Sequence, residues 1–221
     1  MVPPPPSQAL KASIEKMGRV RLRVPVRALV LAALGACAYP AWTLIASPLR
    51  QDLGALPIAW TTVVAALWLV GFGLPMAFAV LPPSDQVLPD GPRAFRIAGL
   101  MAVLSIGASL LLGAALHGGS PIAPGSPAAL TSWRACMGVG LEVTLLTIAI
   151  STLAIRRVVL PESWRWGAAV GAAGGMLAGL TLHLTCSNSS PAHLGVAHGG
   201  GVVIGAVLGA LTRFALDRNG R

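Results

Sequence analysis

The sequence predicts an all-α integral membrane protein with six transmembrane helices and both termini in the cytoplasm. Hydrophobic residues make up 55% of the 221 residues and charged residues only 10%, and the mean hydropathy is +0.75. These values lie far outside the range of soluble globular domains. The apolar residues form six stretches of roughly the 20 residues that a helix needs to cross a bilayer. The basic residues cluster in alternate loops, which sets the orientation.

Residues 1–25 are predicted to form a cytoplasmic basic segment that contains a short amphipathic helix. Ser7 is a suitable helix cap, and Leu10, Ile14 and Met17 share one face of the helix that follows. Such a face can anchor in the groove of a cytoplasmic partner. The alternatives are a helix that lies on the lipid headgroups and a frayed tail.

Six spans are predicted in a transmembrane domain of residues 26–216, and residues 217–221 form a cytoplasmic tail. The spans cover about residues 26–46, 58–81, 97–116, 135–155, 167–185 and 198–216. Cys37 ends a sequence that resembles the lipobox of a lipoprotein leader. Because the apolar run continues well past it, we expect a span with a buried thiol, and a lipoprotein is the alternative.

The distribution of basic residues supports six spans. Fourteen of the 16 lysines and arginines fall on the side of the two termini, and only Arg50 and Arg134 fall on the other side. Basic loops are retained in the cytoplasm, so both termini are expected there. This orientation also explains the net charge of +9, and no direct contact with nucleic acid is expected.

Glycines recur at every fourth residue in the last two spans. They are Gly167, Gly171, Gly175 and Gly179 in the fifth span and Gly201, Gly205 and Gly209 in the sixth. Small residues at this spacing let helix backbones approach closely in lipid, so these two helices are predicted to pack on each other.

Candidate chemistry lies on the non-cytoplasmic side, where all four histidines and two of the three cysteines fall. Cys136 begins the fourth span and Cys186 ends the fifth, so the thiols can approach each other and form a disulfide or bind a soft metal. His183 lies one turn before Cys186, and both can face one site. His193 and His198 follow in a polar loop. The alternative is a set of interfacial side chains that hydrogen-bond to water, since the spacing matches no standard zinc site.

Glu142 is the only acidic residue inside a predicted span. An ionisable group in hydrocarbon is costly, so it is expected to have a partner or a function. A proton relay would need acids in other spans, and a protonated glutamate that hydrogen-bonds to a neighbouring helix is the preferred interpretation. No arrangement of nucleophile and base is visible, so an enzyme is not expected.

Several landmarks of the sequence resemble the NrsF family of bacterial inner-membrane anti-sigma factors. They are the short basic N-terminal segment, six spans, and the residues Trp133, Cys136, His183, Cys186, Pro191 and His193. The resemblance covers nearly the whole chain, although His183 and Cys186 are not adjacent here as they are in the family.

The resemblance implies a protein that sequesters an extracytoplasmic-function sigma factor and releases it under stress sensed at the periplasmic side. It implies that Cys136 and Cys186 sense oxidants or heavy metals, with transient metal binding and no resident cofactor. On this basis we assign signal sensing to Cys136, Cys186, His183 and His193, and sigma-factor binding to Leu10, Ile14 and Met17. A metal would be bound by Cys136, Cys186, His183 and His198.

Two other functions fit parts of the sequence. A small metal or solute permease, or a metal-binding membrane protein, would use Glu142, His183, Cys186 and His198. Transport needs a polar path across the bilayer, and the cytoplasmic halves of the spans contain apolar and small residues. A purely structural membrane subunit is the third interpretation.

Overall fold

Helices account for the regular structure in the part of the chain that the computed structural model describes. That part comprises residues 26–46, 49–50, 53–54, 56–81, 90–117, 127–155, 163–188 and 190–219. The helices are α1 (Val26–Ala46), α2 (Ile58–Val80), α3 (Gly91–His117), α4 (Pro127–Ala154), α5 (Ser163–Thr185), α6 (Pro191–His193), the π-helical turn π1 (Leu194–Gly199) and α7 (Gly200–Asn219). Within these ranges there is no strand, which confirms the predicted all-α class.

Five helical segments are long and apolar enough to cross a membrane. They are Ile58–Val80, Gly91–Leu111, Trp133–Ala154, Ser163–Thr185 and Pro191–Arg218, the last of which joins α6, π1 and α7. α1 contributes a shorter apolar stretch, Leu34–Ala46. The chain is therefore a multi-pass membrane protein.

Two helices begin well before the apolar stretches that the sequence marks as spans. α3 begins at Gly91, where the Oδ1 atom of Asp90 accepts a hydrogen bond from the backbone N–H of Arg93 at 2.9 Å. α4 begins at Pro127, a residue favoured in the first helical turn because it lacks the N–H that would stay unpaired there. A polar cap at α3 and a proline at α4 therefore let these helices begin before the predicted spans.

α5 forms the centre of the bundle and contacts α2, α3, α4 and α7. Its apolar window is 89% buried, whereas those of the other four candidate spans are 28% to 44% buried. α5 also has the lowest hydropathy of the five, 1.4. Its glycines and alanines are small, and they allow four neighbouring helices to pack against one backbone.

The predicted packing of the glycine-rich spans is confirmed. Gly171 of α5 faces Gly205 of α7, and Gly167 faces Gly209 one turn away. A methyl group on any of these glycines would overlap the backbone of the other helix. We call this contact the glycine seam.

The end of the bundle at the start of α5 is held together by aromatic and charged side chains. The Trp166 indole Nε1 donates to the carbonyl of Ala79 at 2.7 Å, and the Arg213 guanidinium lies 5.7 Å from the Trp166 ring. Asp217 pairs with Arg213 at 3.2 Å and accepts a hydrogen bond from the Ser163 hydroxyl. We call this the basic end, since it contains Arg93, Arg96, Arg165, Arg213 and Arg218. The opposite end is the thiol end.

Candidate functional site

Two cysteines meet at the thiol end of the bundle. Cys136 lies on α4, and Cys186 directly follows α5, where its backbone N–H still donates to the Leu182 carbonyl at 2.8 Å. The Sγ atoms lie 3.2 Å apart and the thiol of Cys136 donates to Cys186. The two sulfurs are not joined in a disulfide. The close approach of the two thiols agrees with their expected placement at one membrane face.

His193 and His198 complete the cluster, and His193 belongs to helical structure rather than to the polar loop that the sequence suggests. The loop after α5 is short because the Ser190 hydroxyl accepts a hydrogen bond from the backbone N–H of His193, and Pro191 occupies the first turn. The helix therefore resumes several residues before the predicted start of the sixth span at His198.

The π-helical turn explains how two histidines five residues apart reach one site. In an α-helix with 3.6 residues per turn, such residues point about 140° away from each other. A π-helix bonds residue i to i+5 and brings these positions together. The ring centroids of His193 and His198 lie 5.3 Å apart, and the His193 ring also contacts Trp133 at 5.6 Å.

The four side chains form a buried set of sulfur and nitrogen donors. The ligand atoms of Cys136, Cys186, His193 and His198 all lie within 4.8 Å of one another, and Nε2 of His193 is 3.3 Å from Sγ of Cys186. Nδ1 of His193 and Nε2 of His198 are buried and have no hydrogen-bond partner among the described residues. Unpaired buried polar atoms are costly, so these nitrogens favour a ligand at the cluster.

This donor set fits a soft or borderline metal ion. Two thiols and two imidazoles are a common tetrahedral set, with metal–ligand bonds of about 2.0–2.3 Å that separate the donors by roughly 3.3–3.8 Å. Small side-chain movements within the 4.8 Å cluster reach these separations. The same thiols can alternatively be oxidised to a disulfide.

The surroundings of Cys186 favour its thiolate. Hydrogen bonding with Cys136 is the largest effect that lowers the pKa of Cys186. The imidazoles of His193 and His198 lower this pKa further, whereas burial opposes the shift. The thiolate is the form that binds metals and reacts with oxidants.

His183 occupies a different position from the one expected for it. Its Nε2 lies 3.2 Å from the carbonyl oxygen of Thr61, and its ring contacts Trp60 with centroids 4.7 Å apart. His193 therefore takes the position in the cluster that the sequence analysis assigned to His183. The physical reason is that His183 still belongs to α5 and points toward α2, whereas Cys186 lies just beyond the helix end.

Arg50 holds His183 and the end of α5 in place, and this role was not predicted from the sequence. Its guanidinium lies 5.3 Å from the Trp60 ring and donates to the His183 carbonyl at 3.4 Å, and its backbone N–H donates to the Leu184 carbonyl at 3.0 Å. The side chain is 3% exposed. Arg50 is one of only two arginines on the side that is poor in basic residues, and this signal did not reveal its partners.

The remaining candidate residues lie apart from the cluster. Glu142 is exposed on α4 and its Oε2 accepts a hydrogen bond from the Tyr39 hydroxyl of α1. Cys37 is half-buried on α1 against the main hydrophobic core. Leu10, Ile14 and Met17 lie outside the described residues.

Comparison with known proteins gives one match. The family model described as "NrsF: Negative regulator of sigma F" matches residues 15–216, which is most of the chain. No curated protein and no solved structure matches the chain. The matched range includes both cysteines and both histidines of the cluster.

Proposed function

Because this chain belongs to the NrsF family of negative regulators of a sigma factor, we propose that it is a membrane-bound anti-sigma factor with its sensor at the thiol end. In this proposal it sequesters an extracytoplasmic-function sigma factor in the cytoplasm. A stress signal outside the inner membrane changes the cluster of Cys136, Cys186, His193 and His198, and the sigma factor is released.

The cluster is the observation that carries the proposal. Among the described residues, it brings together four side chains that can bind a metal ion. It lies beside the end of α5, the most buried of the candidate spans. A soft metal ion would bind to its two sulfurs and two nitrogens. An oxidant would instead accept two electrons from Cys136 and Cys186, two protons would leave, and one S–S bond would form.

We further propose six spans, with α1 as the first and the basic end in the cytoplasm. α1 has 21 residues, which is enough to cross the hydrocarbon core. Five arginines lie at the basic end, whereas Arg50 and Arg134 lie toward the thiol end. Positive charge favours retention in the cytoplasm, so this arrangement supports cytoplasmic termini and a thiol end outside.

The buried central helix of the bundle offers a route from the sensor to the cytoplasm. α5 runs from the cluster to the basic end, where Ser163 contacts Asp217 of α7. A ligand shifts a conformational equilibrium only by its difference in affinity for the two states. We propose that a closed metal site or disulfide favours one arrangement of α5 and α7, and that this arrangement binds the sigma factor weakly.

The proposed contact with the sigma factor is the N-terminal segment with Leu10, Ile14 and Met17. The test is to capture the tagged full-length protein from native membranes in mild detergent and to identify the bound soluble proteins by mass spectrometry. We expect a sigma factor, and we expect its loss in the variant L10S/I14S/M17S. The matched control K11S/E15S/K16S changes the other faces of the same segment and should retain it. Equal retention by both variants would refute this contact.

A further inference from the structure

An apolar groove lies on the surface of the bundle between α4 and the final helical run. Its volume is about 220 Å³. Four exposed apolar side chains flank it, which are Met137, Leu141, Val196 and Ile204. Gly138 and Gly201 also line it, and a methyl group added to either glycine would meet no atom within 4 Å. The groove therefore contains open space beside Gly138 and Gly201, which have no side chains to fill it.

The groove offers no side-chain hydrogen bond to an occupant. Its only hydroxyl belongs to Thr144, and this hydroxyl already donates to the Gly140 carbonyl at 2.7 Å. The other lining residues are apolar side chains or glycines. Water, metal ions and polar solutes would find no partner there, so the occupant must be apolar.

We propose that this groove binds one acyl chain of a membrane lipid. Both of its walls are candidate membrane spans, so it opens toward hydrocarbon. An unfilled groove there would lose dispersion contacts along its lining, and lipid chains are the apolar molecules at hand. The proposal is independent of the anti-sigma function.

The groove is long enough to hold a segment of an acyl chain. From Met137 to Thr144 the lining follows α4 for about 10 Å at 1.5 Å per residue. A segment of a single acyl chain is narrow enough to enter.

The groove also adjoins the thiol cluster. Ala197 lines the groove and packs in one small apolar cluster with Cys136 and Leu182. A bound chain would therefore contact Ala197, which packs in the same cluster as Cys136. If the thiol cluster is the sensor proposed above, a bound acyl chain helps to hold the side chains around Cys136 together.

The test uses the full-length protein in lipid nanodiscs that contain a phospholipid with a photoactivatable diazirine on its acyl chain. After illumination, mass spectrometry locates the lipid adducts. We expect several-fold more adducts on Met137, Leu141 and Val196 than on Leu104 of α3 and Val70 of α2, which are similarly exposed apolar residues. Equal adduct yields on the two surfaces would overturn the proposal.

Filling variants make the test specific. Gly138→Leu and Gly201→Leu should abolish the enrichment, because the leucine occupies the groove. Gly73→Leu and Gly99→Leu are the matched controls, since they also have open space at the added methyl but lie on α2 and α3, and they should keep it. Enrichment that persists in both filling variants would contradict an acyl-chain site at this groove.

Discussion

The Sγ atom of Cys136 lies 3.2 Å from the Sγ atom of Cys186, although 50 residues separate the two cysteines in the chain. The contact exists because α4 packs along α5 and the two thiols lie at the same end of this pair. Any agent that bonds to both sulfurs therefore connects the two helices.

Replacing either cysteine of the pair should abolish high-affinity binding of a soft metal. In Cys136→Ser or Cys186→Ser one thiolate is lost, and serine is a poor ligand for such an ion. We expect the affinity for Cd²⁺ to fall at least tenfold, by analogy with the loss of supporting groups around metal sites. The ultraviolet charge-transfer absorption of cadmium thiolate measures binding. Cys37→Ser is the matched control and should bind like the wild type.

The histidines should separate into two classes. His193→Ala and His198→Ala remove donors of the cluster and should weaken Cd²⁺ binding. His183→Gln should leave this affinity unchanged but lower the stability by about 1–2 kcal/mol, because glutamine replaces the ring that packs on Trp60 and bonds to Thr61. Titration with Cd²⁺ and denaturation in detergent measure the two effects. A His183→Gln variant that loses metal affinity would contradict this assignment.

The sequence predicts the helical class because the long apolar stretches are visible in it. It predicts the meeting of the cysteines because the ends of these stretches place both thiols at the same face of the membrane. It does not predict the histidine geometry. His193 and His198 are five residues apart, which an α-helical periodicity places on different sides. The π-helical turn Leu194–Gly199 changes this, and no simple residue pattern signals such a turn.

The glycine seam should tolerate no added methyl group. Gly171→Ala and Gly205→Ala would force α5 and α7 apart and should destabilise the protein by about 1–3 kcal/mol. The control Gly73→Ala has open space around the new methyl and should be neutral or slightly stabilising, since alanine favours helix. Unfolding of the purified variants in mixed micelles measures the difference. Equal stability of the three variants would exclude close packing at the seam.

Glu142 should act as a hydrogen-bond acceptor and not as a proton carrier. Glu142→Gln keeps an oxygen for the Tyr39 hydroxyl and should change stability by less than about 1 kcal/mol. The response of a sigma-dependent reporter to the inducing stress should also remain. Glu142→Leu removes the acceptor and should cost about 1 kcal/mol. A Glu142→Gln variant that is stable but does not respond would show that the charge is required.

The contacts of His183 were beyond sequence reasoning for a different reason. Hydropathy and spacing locate Arg50 in a loop, Trp60 near the start of a span and His183 near the end of another. That these three pack together depends on how α2 and α5 are oriented about their axes. Only the tertiary structure fixes this orientation, and it directs the His183 ring toward Thr61.

The most direct test measures retention of the sigma factor on the purified full-length complex in nanodiscs when Cd²⁺ is added. We expect that the wild-type complex releases the sigma factor as the cluster fills, and that C136S/C186S retains it at the same Cd²⁺ concentration. Retention by the wild type although its cluster binds Cd²⁺, or equal release from the double variant, would contradict a link between the thiol cluster and the sigma factor.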